Sequence, residues 1–113
     1  MTRVYASQQG DQFRLECRGH AGYAESGKDV VCAAVSAICQ TLYLWCKNAE
    51  GVTVEDETMG PGVFMLTARG PCGEPWKAAV LGLMSLEAGY PAHIRVDARK
   101  FDLCSKPQTR QEL

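Results

Sequence analysis

The longest uncharged segment of the chain constrains its fold more than any other feature. Seventeen residues, Val30–Cys46, lie between Asp29 and Lys47 without a charge. This length is at the lower limit for a membrane-spanning helix, but nothing else in the chain favours insertion. The segment also contains three polar side chains. These polar residues are Ser36, Gln40 and Thr41. We therefore predict that the segment is a core helix and that the protein has no membrane partner.

The periodicity of this segment predicts how the helix packs. Asp29 is a good N-cap, and we predict a helix from there to about Ala49. Apolar side chains recur every three or four residues, so one stripe should face a core. We interpret Cys39 and Cys46 as small buried apolar side chains. The stripe comprises Val31, Val35, Ile38, Leu42 and Trp45.

The other elements predict an α+β fold. Arg3–Gln8 and Gln12–Arg18 alternate in polarity around a Gly-Asp turn, as in a β-hairpin. The predicted elements follow one another along the chain as ββαββα with a possible final β. Most connections between strands are hairpins. We therefore expect a mostly antiparallel sheet with both helices on one face. The later elements are two strands, a helix and a short last strand: Val52–Met59, Val63–Arg69, Pro75–Gly89 and Ile94–Ala98.

Length and composition limit the possible functions. The 113 residues suffice for one domain, which we place at residues 1–104, with a polar tail at 105–113. A net charge of −1 argues against direct nucleic-acid binding. The N-terminus is too polar for a signal peptide, so we expect a cytoplasmic protein with reduced thiols. Among the six cysteines, nothing selects a pairing of Cys17, Cys72 or Cys104.

Two residues form a candidate catalytic pair. His20 follows a strand in a glycine-rich loop, and Cys32 lies twelve residues later, in the first turn of the long helix. The partial positive charge of a helix N-terminus stabilises a thiolate. A nearby imidazole can accept the thiol proton, which gives a covalent catalyst. Asp29 could orient His20 or only cap the helix.

Less specific interpretations of these residues remain open. Cys32 could be a buried structural cysteine and His20 an ordinary loop residue. The Cys17-x-x-His20 spacing is typical of metal ligands, with Cys32 as a possible third, but structural zinc usually has four. We interpret Cys72 as a turn residue, and His93 as a capping or packing residue.

Two sequence blocks carry a family resemblance. The segments Gly19-His20-Ala21-Gly22-Tyr23-Ala24 and Gly27–Ser36 resemble the signature of the bacterial ribosomal-processing cysteine protease family (Prp). Tyr90-Pro91 after the second helix also fits the family pattern. The resemblance covers roughly residues 1 to 100.

The resemblance implies a specific function. Members of that family are small α+β homodimers that remove a short N-terminal extension from large-subunit ribosomal protein twenty-seven, cutting after an aromatic residue. By resemblance, His20 is the general base and Cys32 the nucleophile. Asp29 and Ser36 match positions adjoining the family's site. The resemblance implies a peptide substrate, and we expect no cofactor and no metal.

Three further expectations follow for the site. Backbone N–H groups at the helix start are suited to hold the oxyanion. Ser36 lies one turn after Cys32 on the same face, where it could bind the substrate backbone or the nucleophile. The loop from Gly19 to Lys28, which carries His20, should act as a lid, because it contains Gly19, Gly22 and Gly27.

Two other classes of function compete with a protease. One is a non-enzymatic, ribosome-associated binding module that uses the acidic run Glu55-Asp56-Glu57. The other is a thiol redox or metal-binding protein. One thiol that is alkylated rapidly at neutral pH would favour the protease, whereas bound zinc would favour the last class.

Overall fold

A computed structural model describes residues 1–25 and 27–98 of the chain. The predicted end of the domain at residue 104, the tail at 105–113 and Cys104 lie outside the described residues. All predicted elements are present within one or two residues of their expected ends. In chain order they are β1 (Thr2–Gln9), β2 (Gln12–Arg18), α1 (Val30–Asn48), β3 (Thr53–Gly60), β4 (Val63–Arg69), α2 (Gly73–Gly89) and β5 (Ile94–Ala98).

The strands form one five-stranded sheet in the order β3-β4-β2-β1-β5. The β1–β2, β2–β4 and β3–β4 pairs are antiparallel, whereas β1 and β5 run parallel. The parallel pair arises because α2 returns the chain to the far edge of the sheet. The prediction of a mostly antiparallel α+β sheet, including its optional last strand, is confirmed.

Both helices pack on the same face of the sheet. The Sγ atom of Cys39 on α1 lies 3.4 Å from that of Cys17 on β2. Trp76 on α2 packs against Phe13 on β2, with ring centroids 5.3 Å apart. Phe13 and Cys17 are four residues apart on one strand, so they share a face. The opposite face is polar and carries the contacts of Glu16 with Arg14 and Arg18.

The buried stripe of α1 differs from the predicted one at its end. Trp45 is 42% exposed, so its assignment to the core was wrong. The predicted stripe repeats every 3.5 residues, whereas a straight α-helix has 3.6 residues per turn. Toward the end of the helix, the predicted positions therefore rotate away from the face that is buried. Ile38 is only partly buried. Cys39 and Cys46 are buried, which confirms their interpretation as small apolar core side chains. The buried residues are Val31, Val35, Cys39, Leu42 and Cys46.

Two further observations concern the helices. The length of α1 and its mean hydropathy of 1.5 would also suit a membrane span, but its five buried side chains belong to the core.

The second helix begins at Gly73, two residues before the predicted start at Pro75. Its N-cap is Cys72, which is buried at a helix start rather than in an open turn.

Candidate active site

Cys32 lies in the first turn of α1, and Asp29 fixes that turn. Asp29 Oδ1 accepts hydrogen bonds from the backbone N–H groups of Val31 (3.0 Å) and Cys32 (2.9 Å). These are two of the donors that a helix start leaves without partners. The cap therefore places the partly buried Cys32 side chain at a defined position beside the loop that carries His20.

The second oxygen of Asp29 holds that loop. Asp29 Oδ2 accepts from the backbone N–H groups of Tyr23 (2.9 Å) and Ala24 (3.3 Å). The carboxylate thus joins the loop to the helix, which is more than capping and different from orienting an imidazole.

The same hydrogen bonds set the charge of Asp29. The backbone N–H of Cys32, followed by those of Ala24, Tyr23 and Val31, lowers the pKa of Asp29 despite its burial. A lowered folded-state pKa contributes stability above the unfolded pKa, about 3.9. That contribution is lost only as the pH falls through the lower folded value. The Asp29 carboxylate, which joins the loop to the helix, is therefore fully charged at neutral pH.

The sulfur of Cys32 accepts a hydrogen bond from the loop. The backbone N–H of Ala21 donates to Cys32 Sγ at 3.2 Å. A donor aimed at sulfur favours the thiolate, because hydrogen bonds to a charged acceptor are stronger than those to a neutral one. Ala21 directly follows His20, so this contact also brings the histidine backbone to the helix start.

A turn between two strands positions the His20 ring. His20 is exposed, and its imidazole lies against Gly62 in the turn between β3 and β4. A Cβ atom at Gly62 would lie 2.9 Å from His20 Nε2, and Gly62 has a φ of +71°. The Gly62 carbonyl also accepts from the Gly19 N–H at 2.8 Å. Gly62 is thus needed both for its conformation and for the space that the ring occupies.

Two clefts meet at the candidate pair. One has a volume of about 470 Å³ and the other about 510 Å³, and His20, Cys32 and Ser36 line both. The first extends toward the β3–β4 turn and the core, and the second toward the loop. A peptide lying across the junction could occupy both clefts, with its central bond at Cys32. Apolar walls of the first cleft come from Val35, Met59, Val63 and Phe64.

The structure brings the sequence-predicted residues together around this junction. Gly19 lines the first cleft, whereas Gly22, Gly27 and Asp29 line the second. Ser36 is exposed and lies one helical turn after Cys32. All of these positions adjoin the clefts; their chemical roles stay predictions.

Three of the expected oxyanion donors at the helix start are engaged elsewhere. Asp29 Oδ1 accepts from the N–H groups of Val31 and Cys32, and the Asp29 carbonyl accepts from that of Ala33 at 3.1 Å. These three groups are therefore not free to hold an oxyanion, and for the N–H of Val30 the expectation stays a prediction. The Ala21 N–H points at the Cys32 sulfur from the loop, and it is the better candidate for the donor that holds the oxyanion.

The glycines of the predicted lid have different structural reasons. At Gly19 a Cβ atom would lie 2.5 Å from the Met1 carbonyl oxygen, so close backbone approach requires glycine. Gly22 and Gly27 have φ values of +69° and +86° with open space around them. Their conformations suit turns, and motion of the loop stays a prediction.

The remaining candidates have structural surroundings. His93 makes edge contact with the Tyr23 ring, which confirms the packing interpretation. Within residues 1–25 and 27–98, no cluster of three His, Cys, Asp or Glu side chains is arranged as a metal site. The five cysteines in that part of the chain are free thiols.

Sequence reasoning missed Gly62, Ala21 and the contact of His93 with the loop. The two glycines of the Gly60-Pro61-Gly62 turn between β3 and β4 are the one signal in the sequence that another group approaches closely there. The position of the His20 ring on Gly62 depends on strand pairing across more than forty residues, which no local pattern encodes.

Gly62→Ala tests whether the turn positions His20. We expect peptide cleavage to slow by about tenfold or more, because small misplacements of a catalytic group are costly. Gly10→Ala is the matched control, since Gly10 has a similar φ of +61° and open space. Steady-state cleavage rates and melting temperatures of both variants check this prediction. Equal slowing of the two variants would show that backbone strain, and not contact with His20, is responsible.

Comparison with known proteins identifies relatives over most of the chain. A family model described as cysteine protease Prp matches residues 1–95. The ribosomal processing cysteine protease Prp of Mycoplasma genitalium is 27% identical over 89 residues, which are 78% of this chain and 90% of that protein.

Solved structures share the fold. The S. aureus ribosomal processing protease Prp, crystallised with a covalently linked product peptide, has a TM-score of 0.75 at 20% identity. That match covers 88% of this chain and all of the S. aureus chain. The protein SMU.848 from Streptococcus mutans has a TM-score of 0.68 at 23% identity, covering 87% of this chain and 93% of its own.

Proposed function

Because the chain belongs to the Prp cysteine protease family, we propose that it cuts peptide bonds with Cys32 as nucleophile and His20 as general base. The observation that carries this proposal is the junction of two clefts at these two residues. The Ala21 N–H at 3.2 Å from the sulfur supports the ionised state of the nucleophile.

The proposed reaction has two stages. His20 takes the proton of Cys32, and the sulfur attacks the scissile carbonyl carbon to give a tetrahedral oxyanion, for which the Ala21 N–H is the proposed donor. His20 then donates its proton to the leaving amine, and a thioester to Cys32 remains. Water, deprotonated by His20, hydrolyses the thioester and releases the carboxylic acid with a free thiol. Ser36 lines both clefts and is suited to bind the peptide backbone.

The proposed substrate is the N-terminal extension of large-subunit ribosomal protein twenty-seven. Two named relatives are ribosomal processing proteases, and the S. aureus enzyme has been crystallised with substrate and product peptides. The apolar walls of the first cleft suit an aromatic side chain before the cut, a preference that the family resemblance implies. A cytoplasmic location belongs to the same proposal, because ribosomes are assembled there.

Incubation with the extended ribosomal protein tests the function. We expect intact-mass spectrometry to show loss of one N-terminal peptide, with a single cut after an aromatic residue. A substrate with that aromatic residue changed to Asp should remain whole. If the extended protein binds but stays intact with fresh, reduced enzyme, the chain acts on this partner as a binding module and the proposed activity is wrong.

We further propose that the protein is a homodimer, on the basis of the outer side of α1. Val30 and Leu44 are each 56% exposed on a helix with no charge between Asp29 and Lys47. An uncharged and partly apolar solvent face is unusual unless another surface covers it. A second copy offers the same uncharged face, so the contact would be self-complementary.

Leu44→Lys should convert the dimer to a monomer, because two copies of the lysine would be buried together. Light scattering after size exclusion should give twice the 12.3 kDa chain mass for the wild type and one chain mass for this variant. Tyr5→Lys on the open sheet face, where Tyr5 is 45% exposed, is the control and should remain dimeric. Dissociation by Tyr5→Lys alone would place the interface on the sheet instead.

A further inference from the structure

The orientation of Ala21 is fixed on both sides of its Cα atom. Its N–H donates to Cys32 Sγ at 3.2 Å, and its carbonyl oxygen lies 3.0 Å from His93 Nδ1. Ala21 is only 2% exposed, so neither group can exchange its partner freely for water. The contact with His93 therefore bears directly on where the N–H points.

His93 is itself held by rigid structure at the start of β5. The backbone N–H of His93 donates to the Tyr90 carbonyl at 2.9 Å, and its backbone carbonyl accepts from the Thr2 N–H at 2.9 Å. Its ring meets the Tyr23 ring edge-on at 5.3 Å, and Tyr23 also packs against Tyr90 at 5.4 Å. The loop residue Ala21 is thus tied to the edge of the sheet rather than to another loop.

The contact also determines the state of the imidazole. A carbonyl oxygen can only accept, so Nδ1 of His93 must carry the proton. His93 therefore acts as a hydrogen-bond donor to Ala21 whether its Nε2 is protonated or not. Its role needs no change of charge and differs from that of His20, which must gain and lose a proton.

From this chain of contacts we propose that His93 is a positioning residue for the nucleophile: it sets the Ala21 N–H that stabilises the Cys32 thiolate. The proposal rests on the proposed role of Cys32. Without the Nδ1–H donor, the Ala21 carbonyl is buried without its partner and the local backbone rotates to find another. The N–H then leaves the sulfur, and ionisation of the thiol becomes less favourable.

Two substitutions at His93 separate donation from packing. His93→Phe keeps a flat ring against Tyr23 and removes the donor. His93→Asn loses the ring but places an amide N–H close to the position of Nδ1. A purely structural role predicts that the phenylalanine variant is the milder of the two, whereas donation to Ala21 predicts that the asparagine variant is.

The rate of Cys32 alkylation by iodoacetamide, measured against pH, is the test. For His93→Phe we expect the midpoint of the profile to move to higher pH by about one unit, which is about tenfold slower alkylation near neutral pH. For His93→Asn we expect a midpoint close to that of the wild type. An unmoved midpoint in a folded His93→Phe protein, or an equal shift in both variants, would overturn the proposal.

A measurement on the wild type covers the case in which a variant does not fold. Long-range nitrogen–proton NMR spectra should show His93 with its proton on Nδ1 when neutral; a proton on Nε2 would contradict the contact. Neither measurement uses a peptide substrate. Failure to cut the ribosomal protein would therefore count against the proposed function and not against the role of His93.

Discussion

Replacing Cys32 by serine is expected to abolish peptide cleavage while the protein keeps its fold. Serine is nearly the same size, and its oxygen can still accept the Ala21 N–H that points at this position. An alcohol is far less acidic than a thiol, and one N–H with a helix start cannot ionise it. We expect turnover to fall by about 10⁶, as when the nucleophile of another covalent protease is removed.

Cys72→Ser is the matched control for this variant. Cys72 is also a cysteine at a helix start, where serine is a good N-cap, but it does not line either cleft. Its variant should cleave the extended ribosomal protein at the wild-type rate. Melting curves of both variants check that the fold is intact. If the Cys32→Ser variant cleaved at the wild-type rate, the assignment of Cys32 as the nucleophile would be refuted.

Replacing His20 by alanine is expected to lower turnover by about 10²–10⁴, the usual contribution of a positioned general base. His20 is exposed, so its removal should change the free energy of unfolding by less than about 0.5 kcal/mol. Peptide binding should change much less than turnover, because the clefts keep their other walls. Both effects are measured together by steady-state kinetics and by binding of an uncut peptide to the Cys32→Ala protein with and without His20→Ala.

The pattern of losses distinguishes two roles for His20. A general base affects the chemical step, so kcat falls while binding is preserved. A structural residue that holds the loop would reduce binding and turnover by similar factors. Equal losses would assign His20 to the shape of the cleft and leave Cys32 without an identified base.

Local patterns in the sequence were sufficient to predict the elements of the fold. Asp29 followed by an uncharged helical segment gave the start of α1, and alternation gave β1 and β2 almost to the residue. Trp45 was misassigned because it lies at the border of the buried face, about 100° around the helix from Cys46, and packing decides whether a border residue faces the core. The predicted start of α2 at Pro75 misses the N-cap at Cys72, because proline is favoured at the first helical position but also fits within the first turn.

The candidate site was only partly predictable from the sequence. His20 and Cys32 are separated by one short loop, and their residue types suggest chemistry by themselves. The contacts of Gly62 with the His20 ring and of His93 with Ala21 join distant parts of the chain through sheet pairing. Asp29 could be recognised as a cap, but its second set of donors in the loop depends on the folded path of residues 23 and 24.

The central claim is that Cys32 is the reactive nucleophile, and selective alkylation tests it most directly. Of the other described thiols, burial raises the pKa of Cys46 to about 12 and raises that of Cys72. Hydrogen bonding to Cys17, together with burial, raises the pKa of Cys39. These thiols should therefore react slowly, whereas Cys32 is accessible from both clefts.

The protein is treated with limiting iodoacetamide at neutral pH, and the modified cysteines are mapped by peptide mass spectrometry while cleavage is assayed in the same samples. The account predicts that Cys32 is modified first and that cleavage is lost in proportion to its modification. Cleavage that persists after Cys32 is fully alkylated, or that is lost while Cys32 is still unmodified, would contradict it.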